Sequence, residues 1–329
     1  MLIMNKQILI FFLLIISLNV QAQNGKIISR HDFELTKYDT LMNRIATRDN
    51  GEWVYKKEYE YLNKVILEKI FYESDGLKVK AYLVTPKGTV KDGYPSIIYN
   101  RGGNREFGSL NEYKMVFILA RVASWGYNVV ASQYRGNDGG EGREEFGGTD
   151  VNDVLNLIPL VENLPNAHPE KIGMYGWSRG GMMTYLALMK TDKIKAAVVG
   201  GALSDLKMMY ESRDDGMEEV FIELMPNYAE DKDKLLRERS AVFNADKLCK
   251  TTPILLLHGT ADWRVVPEES LNMAMAMQKA KVPYSLIMLE GGDHGLNEFG
   301  DDVDNFTQAW FKKYLDRSAP LPNLEPHGK

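Results

Sequence analysis

A hexapeptide, Gly176-Trp177-Ser178-Arg179-Gly180-Gly181, constrains the fold of this chain more than any other stretch. It fits the pattern Gly-x-Ser-x-Gly, with an apolar run at 171–175 before it and helical spacing at 182–189 after it. A serine in such a turn is held in a strained conformation, and the flanking glycines let neighbouring backbones pass closely. The motif therefore predicts a strand, a tight turn that projects Ser178 above a sheet, and a helix.

Strand and helix patterns alternate on both sides of this motif. Buried-type strands are predicted at 96–99, 128–133, 171–175, 194–199, 253–257 and 284–289, and helices at 114–124, 150–164, 182–189, 267–280 and 303–315. An Asp-Gly step at 75–76 predicts a hairpin between the runs 65–72 and 77–85. Together these patterns predict an α/β fold with a mostly parallel, doubly wound sheet and helices on both faces.

The ends of the chain differ in character from this central part. Residues 1–22 combine Lys6, an apolar run at 8–16 and a small-residue ending, which is typical of a secretory signal peptide. We therefore expect export to the periplasm or the extracellular space. The apolar run is shorter than the roughly 20 residues needed to span a bilayer, so no stable membrane anchor is predicted, with an uncleaved anchor as the alternative.

The remaining chain divides by composition. Residues 23–64 are predicted to form a lead-in without chemistry, 65–317 the α/β-hydrolase catalytic domain, and 318–329, which contain three prolines, a flexible tail. Residues 205–247 interrupt the alternation and are predicted to be a small cap-like insertion. Its apolar residues either line a pocket or pack on the core.

Composition excludes several classes of partner and cofactor. Acidic residues number 45 and basic residues 40, so nucleic acid is not an expected partner. The single cysteine, Cys249, cannot form a disulfide within the chain and is predicted to be structural. No cofactor is predicted.

A neutral serine is a weak nucleophile, so Ser178 needs a base, and the base needs an orienting carboxylate. Asp262 follows the strand 253–257, and His294 follows the strand 284–289. The chain order Ser, Asp, His is the order that accompanies the nucleophile elbow in α/β-hydrolases. We therefore predict His294 to be the general base and acid, and Asp262 to orient it and stabilise the imidazolium.

Three alternatives compete with this assignment. His258 also follows a strand, but it precedes the acid in the chain, so we interpret it as a histidine satisfied by backbone. Asp293 is adjacent to His294, and neighbouring side chains seldom reach the required geometry. The set of His258, Asp262, Asp293 and His294 has ligand types suited to a metal, but its spacing fits no metal motif, so none is predicted.

The oxyanion that develops in acyl transfer needs preorganised N–H donors. The first donor is predicted to be the backbone N–H of Arg179, at the start of the helix after the serine. The second is predicted in the loop after the strand 96–99, from the N–H of Arg101 or Gly102. The Tyr99 hydroxyl is a weaker alternative.

These motifs, with Tyr134-Arg135-Gly136 and Asp293-His294-Gly295, resemble the catalytic domain of the prolyl oligopeptidase (S9) family, from about residue 82 to 315. The resemblance implies a serine peptidase that cleaves short peptides, with Ser178, Asp262 and His294 as its triad. It also implies a structural role for Arg135.

The chain departs from the family pattern in three ways. The roughly 60 residues ahead of the catalytic domain are too few for the β-propeller that family peptidases usually carry. Arg101 occupies the position where many members place an oxyanion-binding tyrosine. No acidic pair for a substrate amino terminus is evident, and Glu144-Glu145 and Glu218-Glu219 are the candidates that the sequence offers.

The sequence therefore predicts an exported serine hydrolase that cleaves short peptides through an acyl-enzyme, with a small peptide or ester as its substrate. A carboxylesterase or acetyl-ester hydrolase on the same fold is the alternative, because the fold alone does not distinguish them. A non-catalytic binding protein is a third hypothesis, and the complete triad argues against it.

Overall fold

The computed structural model describes residues 23–213 and 216–328, so the predicted signal peptide lies outside the described residues. In chain order the strands are β1 (Ile27–Asp32), β2 (Ala46–Asp49), β3 (Glu52–Tyr55), β4 (Val65–Ser74), β5 (Leu77–Pro86), β6 (Tyr94–Asn100), β7 (Asn128–Ser132), β8 (Ala167–Trp177), β9 (Ile194–Gly200), β10 (Ile254–Gly259) and β11 (Tyr284–Leu289). In these ranges nine strands form one sheet, in the order β1-β4-β5-β7-β6-β8-β9-β10-β11, and β2 pairs with β3 apart from it.

The α-helices are α1 (Asp39–Ile45), α2 (Glu112–Lys114), α3 (Arg121–Ala123), α4 (Val151–Leu155), α5 (Leu157–Glu162), α6 (Arg179–Leu188), α7 (Leu206–Glu211), α8 (Met217–Leu224), α9 (Tyr228–Glu238), α10 (Glu268–Ala280) and α11 (Gly300–Phe311). Short 3-10 helices occupy Leu35–Lys37, Lys57–Lys64, Ala241–Phe243, Ala245–Lys247 and Asn297–Phe299, and π-helical turns occupy Met115–Ala120 and Lys312–Asp316. In the described part of the chain, no helix combines the length and apolar character that crossing a membrane requires.

The sheet is antiparallel at one edge and parallel through the rest. The pairs β1-β4, β4-β5 and β5-β7 are antiparallel, and every pairing from β7 through β6 to β11 is parallel. The β4-β5 turn places Asp75 and Gly76 at φ 54° and 79°, the positive values that a two-residue hairpin requires. The predicted α/β class with a mostly parallel sheet is confirmed.

Apolar side chains form one core on each face of the sheet. On the first face, helices α4, α5, α6 and α10 contribute buried residues such as Val154, Leu157, Met183 and Met273. On the second face, the lead-in, the helical run 112–123 and α11 contribute Met42, Met115, Leu119 and Phe311, among others. The carboxyl ends of the parallel strands therefore lie between the helices of the first face and those of the second face.

Two predicted helices are interrupted for identifiable reasons. The predicted helix 150–164 divides at Asn156, because Pro159 has no N–H to donate to the carbonyl of Leu155 four residues earlier. The predicted helix 114–124 corresponds to α2 and α3, which are joined by the π-helical turn Met115–Ala120. A π-helical turn of this kind is rare and often occurs at functional sites.

The insertion contains α7, α8 and α9 and serves both of the roles left open by the sequence. Phe221 and Leu236 are buried in the first core. Met209 and Met217 line the cleft above the strand ends. An ion pair of 2.6 Å between Arg105 and Glu223 joins α8 to the loop that follows β6.

Candidate active site

Ser178 occupies a strained turn between β8 and α6. Its φ of 58° and ψ of −125° are unusual for a residue with a side chain, and the Ser178 N–H donates to the carbonyl of Gly200 over 2.8 Å. A Cβ at Gly180 would overlap the carbonyl oxygen of Asn100, and a Cβ at Gly176 would overlap the carbonyl oxygen of Gly180. The turn therefore has the close backbone packing that the motif predicts.

Asp262 and His294 form a hydrogen-bonded pair at the ends of β10 and β11. The distance between Asp262 Oδ2 and His294 Nδ1 is 2.7 Å, and the Asp262 side chain is fully buried while that of His294 is 18% exposed. Asp262 Oδ1 accepts the N–H groups of Arg264 and Val265 over 2.8 and 3.0 Å. The carboxylate is thus fixed on one side by backbone and is aimed at the imidazole on the other.

Hydrogen bonding keeps Asp262 ionised. Burial alone would raise the pKa of Asp262, but hydrogen bonds from His258 and His294 outweigh burial and hold that pKa well below its ordinary value. A charged Asp262 favours the tautomer of His294 that has its proton on Nδ1. That tautomer leaves Nε2 free to accept a proton.

His258 lies beneath the pair and contacts Asp262. It is buried, with Nε2 at 2.8 Å from the Val265 carbonyl and Nδ1 at 2.6 Å from Ser270 Oγ. Its Nε2 is also 3.3 Å from Asp262 Oδ2. The sequence predicts that a backbone group satisfies the hydrogen-bonding capacity of His258, as the Val265 carbonyl does. The contact between His258 and Asp262 was not predicted.

Asp293 does not compete for His294. Its Oδ1 accepts the N–H groups of Gly295 and Leu296 over 2.8 and 2.9 Å, which shapes the turn after the histidine. Between residues 23 and 213 and between 216 and 328, no three His, Cys, Asp or Glu side chains are grouped as a metal site would require.

Ser178 and His294 line the same cleft. Two contacts link the segments that carry them. The Trp177 indole N–H donates to the His294 carbonyl over 2.9 Å. Gly201 lies next to the His294 ring, and it directly follows Gly200, whose carbonyl accepts the Ser178 N–H. In the described residues the Ser178 hydroxyl makes no hydrogen bond to His294. Catalytic hydrogen bonds of this type often tighten only when substrate is bound.

Of the predicted oxyanion donors, Gly102 and Arg179 lie next to Ser178, and the Arg101 N–H stays the alternative to that of Gly102. A Cβ built on Gly102 would lie 3.7 Å from Ser178 Oγ, so the backbone of this glycine borders the nucleophile. Arg179 begins α6, and the first N–H groups of a helix have no acceptor within it. Their roles as donors remain a prediction.

The side chain of Arg101 is directed away from the oxyanion position. Its guanidinium is fully buried and donates to the carbonyls of Gln133 and Arg105 over 3.0 to 3.1 Å and to its neighbour Gly102 over 3.2 Å. Burial, and then the charge of Arg179, lower the pKa of Arg101. Arg101 therefore braces the loop after β6 and does not replace a tyrosine hydroxyl.

The side chain of Arg179 braces the same loop from the other side. It is buried, forms ion pairs with Glu144 and with Asp150 (2.6 Å), and donates to the Gly103 carbonyl over 3.0 Å. Glu144 also accepts the Arg105 N–H. Burial would raise the pKa of Glu144, but the Arg179 charge outweighs it and lowers that pKa.

Both candidate acidic pairs for a substrate amino terminus have members that bond to other parts of the chain. Glu144 is occupied by Arg179, and Glu145 accepts the Thr149 N–H over 2.8 Å. Glu218 pairs with Lys232. Within the described structure neither pair is among the residues that line the cleft.

The cleft has a volume of about 810 Å³ and straddles the carboxyl edge of the sheet. On the side of the first core it is bordered by Phe146, Leu203 and the insertion residues Met209 and Met217. On the side of the second core it is bordered by the helical run 112–123 and α11. Ser178 lies between these two sides.

Comparison with known proteins identifies the family. A profile of the prolyl oligopeptidase family matches residues 113–318, which include Ser178, Asp262 and His294. The chain belongs to the prolyl oligopeptidase family. Like its relatives, this family member is a serine hydrolase of the peptidase type.

Two curated relatives illustrate the similarity. The uncharacterized peptidase YtmA of Bacillus subtilis is 30% identical over 220 residues, which cover 67% of this chain and 82% of YtmA. Dipeptidyl-peptidase 5 of Porphyromonas gingivalis is 26% identical over 284 residues, which cover 80% of this chain and 40% of that protein. The chain thus spans most of one relative and about two fifths of the other.

Solved structures show the same fold. A puromycin-hydrolyzing peptidase from Mycobacterium tuberculosis superposes with a TM-score of 0.62 at 25% identity, covering 73% of this chain and 38% of that one. An acylaminoacyl peptidase from Pyrococcus horikoshii gives a TM-score of 0.66 at 23% identity, covering 84% and 47%. The similarity to the second structure concerns the fold alone.

Sequence reasoning missed the role of Gly201. Its φ is 47°, and a Cβ at this position would lie 3.2 Å from the His294 ring and 3.3 Å from Asp262 Oδ2. A side chain here would therefore press on the hydrogen-bonded pair. A paired glycine at the end of a buried strand was the available signal, and it is the signal that identified Gly102.

Proposed function

We propose that this chain is an exported serine peptidase that cleaves short peptides through an acyl-enzyme. The observation that carries the proposal is the 2.7 Å hydrogen bond between Asp262 and His294 in the cleft that also exposes the strained Ser178. Export rests on the pattern of residues 1–22. N-terminal sequencing of the secreted or periplasmic protein tests that part.

The proposed reaction has two halves. Ser178 Oγ attacks the scissile carbonyl while His294 Nε2 takes the hydroxyl proton, and Asp262 stabilises the imidazolium. The N–H groups of Arg179 and Gly102 receive the oxyanion. His294 then gives its proton to the departing amine, and a water molecule, deprotonated in turn by His294, hydrolyses the ester on Ser178.

Relatives support an amide bond as the target. Their names include dipeptidyl-peptidase, acylaminoacyl peptidase and puromycin-hydrolyzing peptidase. One observation favours a carboxylesterase as the second candidate, because no acidic pair among the described residues lines the cleft to bind the amino terminus of a peptide. A peptide with a blocked amino terminus needs no such pair, so the absence of the pair is compatible with a peptidase that acts on blocked peptides.

The experiment compares amide and ester substrates that share one acyl group. Wild type is expected to hydrolyse both the anilide and the p-nitrophenyl ester of an N-acylated dipeptide, and Ser178→Ala neither. The free-amine dipeptide anilide is expected to be no better than the N-acylated one. Ester turnover without amide turnover would establish the esterase instead, and turnover by Ser178→Ala would contradict both assignments.

A further inference from the structure

The side of the cleft beneath the helical run 112–123 contains a pocket that the triad itself does not use. We define this pocket, called the aromatic pocket, by the six residues Tyr99, Phe117, Tyr175, Trp177, Leu296 and Val303. We propose that it binds the leaving group, and that it selects a peptide whose residue after the scissile bond is tyrosine. This inference rests on the proposed function and specifies its substrate.

Position assigns the pocket to the leaving group. In triad catalysis the histidine delivers its proton to the leaving amine, so the leaving group lies beside the imidazole. Leu296 and Val303 belong to the segment that directly follows His294, and Trp177 donates its indole N–H to the His294 carbonyl. The insertion residues Met209 and Met217 line the other side of Ser178, where the acyl group is then expected.

The walls of the pocket are suited to an aromatic ring. Tyr99 and Tyr175 meet edge to face with ring centroids 5.5 Å apart, and Tyr175 and Trp177 do so at 6.4 Å. Aromatic groups pack favourably in this geometry, and ligand pockets of this kind combine apolar walls with a few polar groups.

The Tyr99 hydroxyl is a polar group contributed by one of the six residues that define this pocket. Tyr99 is on β6 and only 4% exposed, and in the described residues its hydroxyl has no hydrogen-bond partner. Burial raises the pKa of Tyr99, so the hydroxyl remains a neutral donor. Because Tyr99 lines the cleft, a ligand that supplies an acceptor gains a hydrogen bond from this hydroxyl. The phenolic oxygen of a tyrosine ring inserted into the pocket is such an acceptor.

Phe117 forms the outer wall and is held from outside by the lead-in. The Arg44 guanidinium lies 4.8 Å from the Phe117 ring centroid, and the Tyr59 ring packs against it edge to face at 5.8 Å. Phe117 lies in the π-helical turn Met115–Ala120, a geometry often found at functional sites. The lead-in therefore fixes one wall of the cleft.

Acyl transfer tests the pocket without changing the acyl group. Wild type is first acylated by a p-nitrophenyl ester, and tyrosinamide, phenylalaninamide or alaninamide then competes with water for the acyl-enzyme. By microscopic reversibility the amine binds where the leaving group leaves. Mass spectrometry gives the ratio of amide to acid product, and we expect tyrosinamide to exceed alaninamide by about tenfold or more.

Three variants complete the test. Phe117→Ala is expected to abolish the preference for both aromatic amines, and Tyr99→Phe to remove only the roughly fivefold advantage of tyrosinamide over phenylalaninamide. Phe243→Ala, an exposed aromatic outside the cleft, is the matched control and is expected to behave as wild type. Tyr99→Phe removes a single oxygen and is expected to keep the fold. If Phe117→Ala does not fold, Tyr99→Phe therefore still tests whether the pocket selects tyrosinamide over phenylalaninamide.

The outcomes separate the two proposals. If wild type releases p-nitrophenol no faster than Ser178→Ala, no acyl-enzyme forms on Ser178, and the proposed function falls together with this assignment. Release that depends on Ser178, with equal partition to all three amines, would overturn the aromatic pocket alone. If Phe117→Ala changes the preference for acyl groups rather than for amines, the pocket binds the acyl side and the assignment is wrong.

Discussion

The Asp262 carboxylate accepts hydrogen bonds from three separate parts of the chain. The backbone N–H groups that follow it hold Oδ1, while His294 and His258 approach Oδ2 at 2.7 and 3.3 Å. Asp293 is closer to His294 in sequence, but its carboxylate accepts N–H groups of the turn after the histidine. The two aspartates near the histidine therefore have distinct roles that substitution can separate.

Asp262→Asn is expected to lower kcat for an ester substrate on the order of 10⁴-fold, because the amide favours the wrong tautomer of His294. KM is expected to change little, since Asp262 is buried and does not reach the substrate. Asp293→Asn is the matched control, with an expected change within about threefold. Steady-state kinetics checks both, and equal losses in the two variants would contradict the assignment.

At the scale of elements, two buried arginines hold the loop after β6 against the nucleophile turn. Arg101 donates to carbonyls of that loop and of the segment after β7, and Arg179 joins it to Glu144 and Asp150. The position of the Gly102 N–H therefore depends on side chains that do not contact the substrate.

Arg101→Lys is expected to reduce kcat about tenfold to a hundredfold while the fold is kept. Lysine retains the charge but loses the planar fork that spans several carbonyls at once. Arg105→Lys, on the same loop with a side chain 48% exposed, is the control and is expected to stay within about twofold of wild type. Ester kinetics with circular dichroism checks this, and an unaffected Arg101→Lys would show that the brace does not position the oxyanion donors.

Much of this arrangement could be predicted from the sequence. Ser178, Asp262 and His294 each follow a buried parallel strand, and the carboxyl ends of such strands meet at one edge. The partners of Arg101 and Arg179 could not be predicted, because they lie in the loop after β6 and in the segment 133–150, most of which shows no helix or strand periodicity. Strand β1 was missed because most of its side chains are exposed and show no apolar alternation.

At the scale of the whole molecule, Glu269 connects α10 to the base of the insertion. Its carboxylate accepts the N–H groups of Ser204 and Asp205, and Asp205 in turn caps α7 through the N–H groups of Lys207 and Met208. Glu269 is fully buried, and burial raises its pKa to about 8 despite these hydrogen bonds. A buried acid with this pKa makes the folded state sensitive to pH.

The contribution of Glu269 to the free energy of unfolding is expected to fall as pH rises from about 4.5 to about 8. In that window the folded state binds the proton more tightly than the unfolded state, so each pH unit costs up to about 1.4 kcal/mol of stability. Glu269→Gln, which remains neutral, should lack this contribution. Urea unfolding of both proteins from pH 5 to 8.5 checks it, and parallel stability curves would contradict the expectation.

Activation of Ser178 by the Asp262–His294 pair is the central claim, and covalent labelling tests it most directly. Wild type treated with a fluorophosphonate should gain one adduct by intact mass, on the peptide that contains Ser178, and His294→Ala should react at least about a hundredfold more slowly. Ser178→Ala should gain none. An adduct on another residue, or labelling of Ser178→Ala as fast as wild type, would contradict the account.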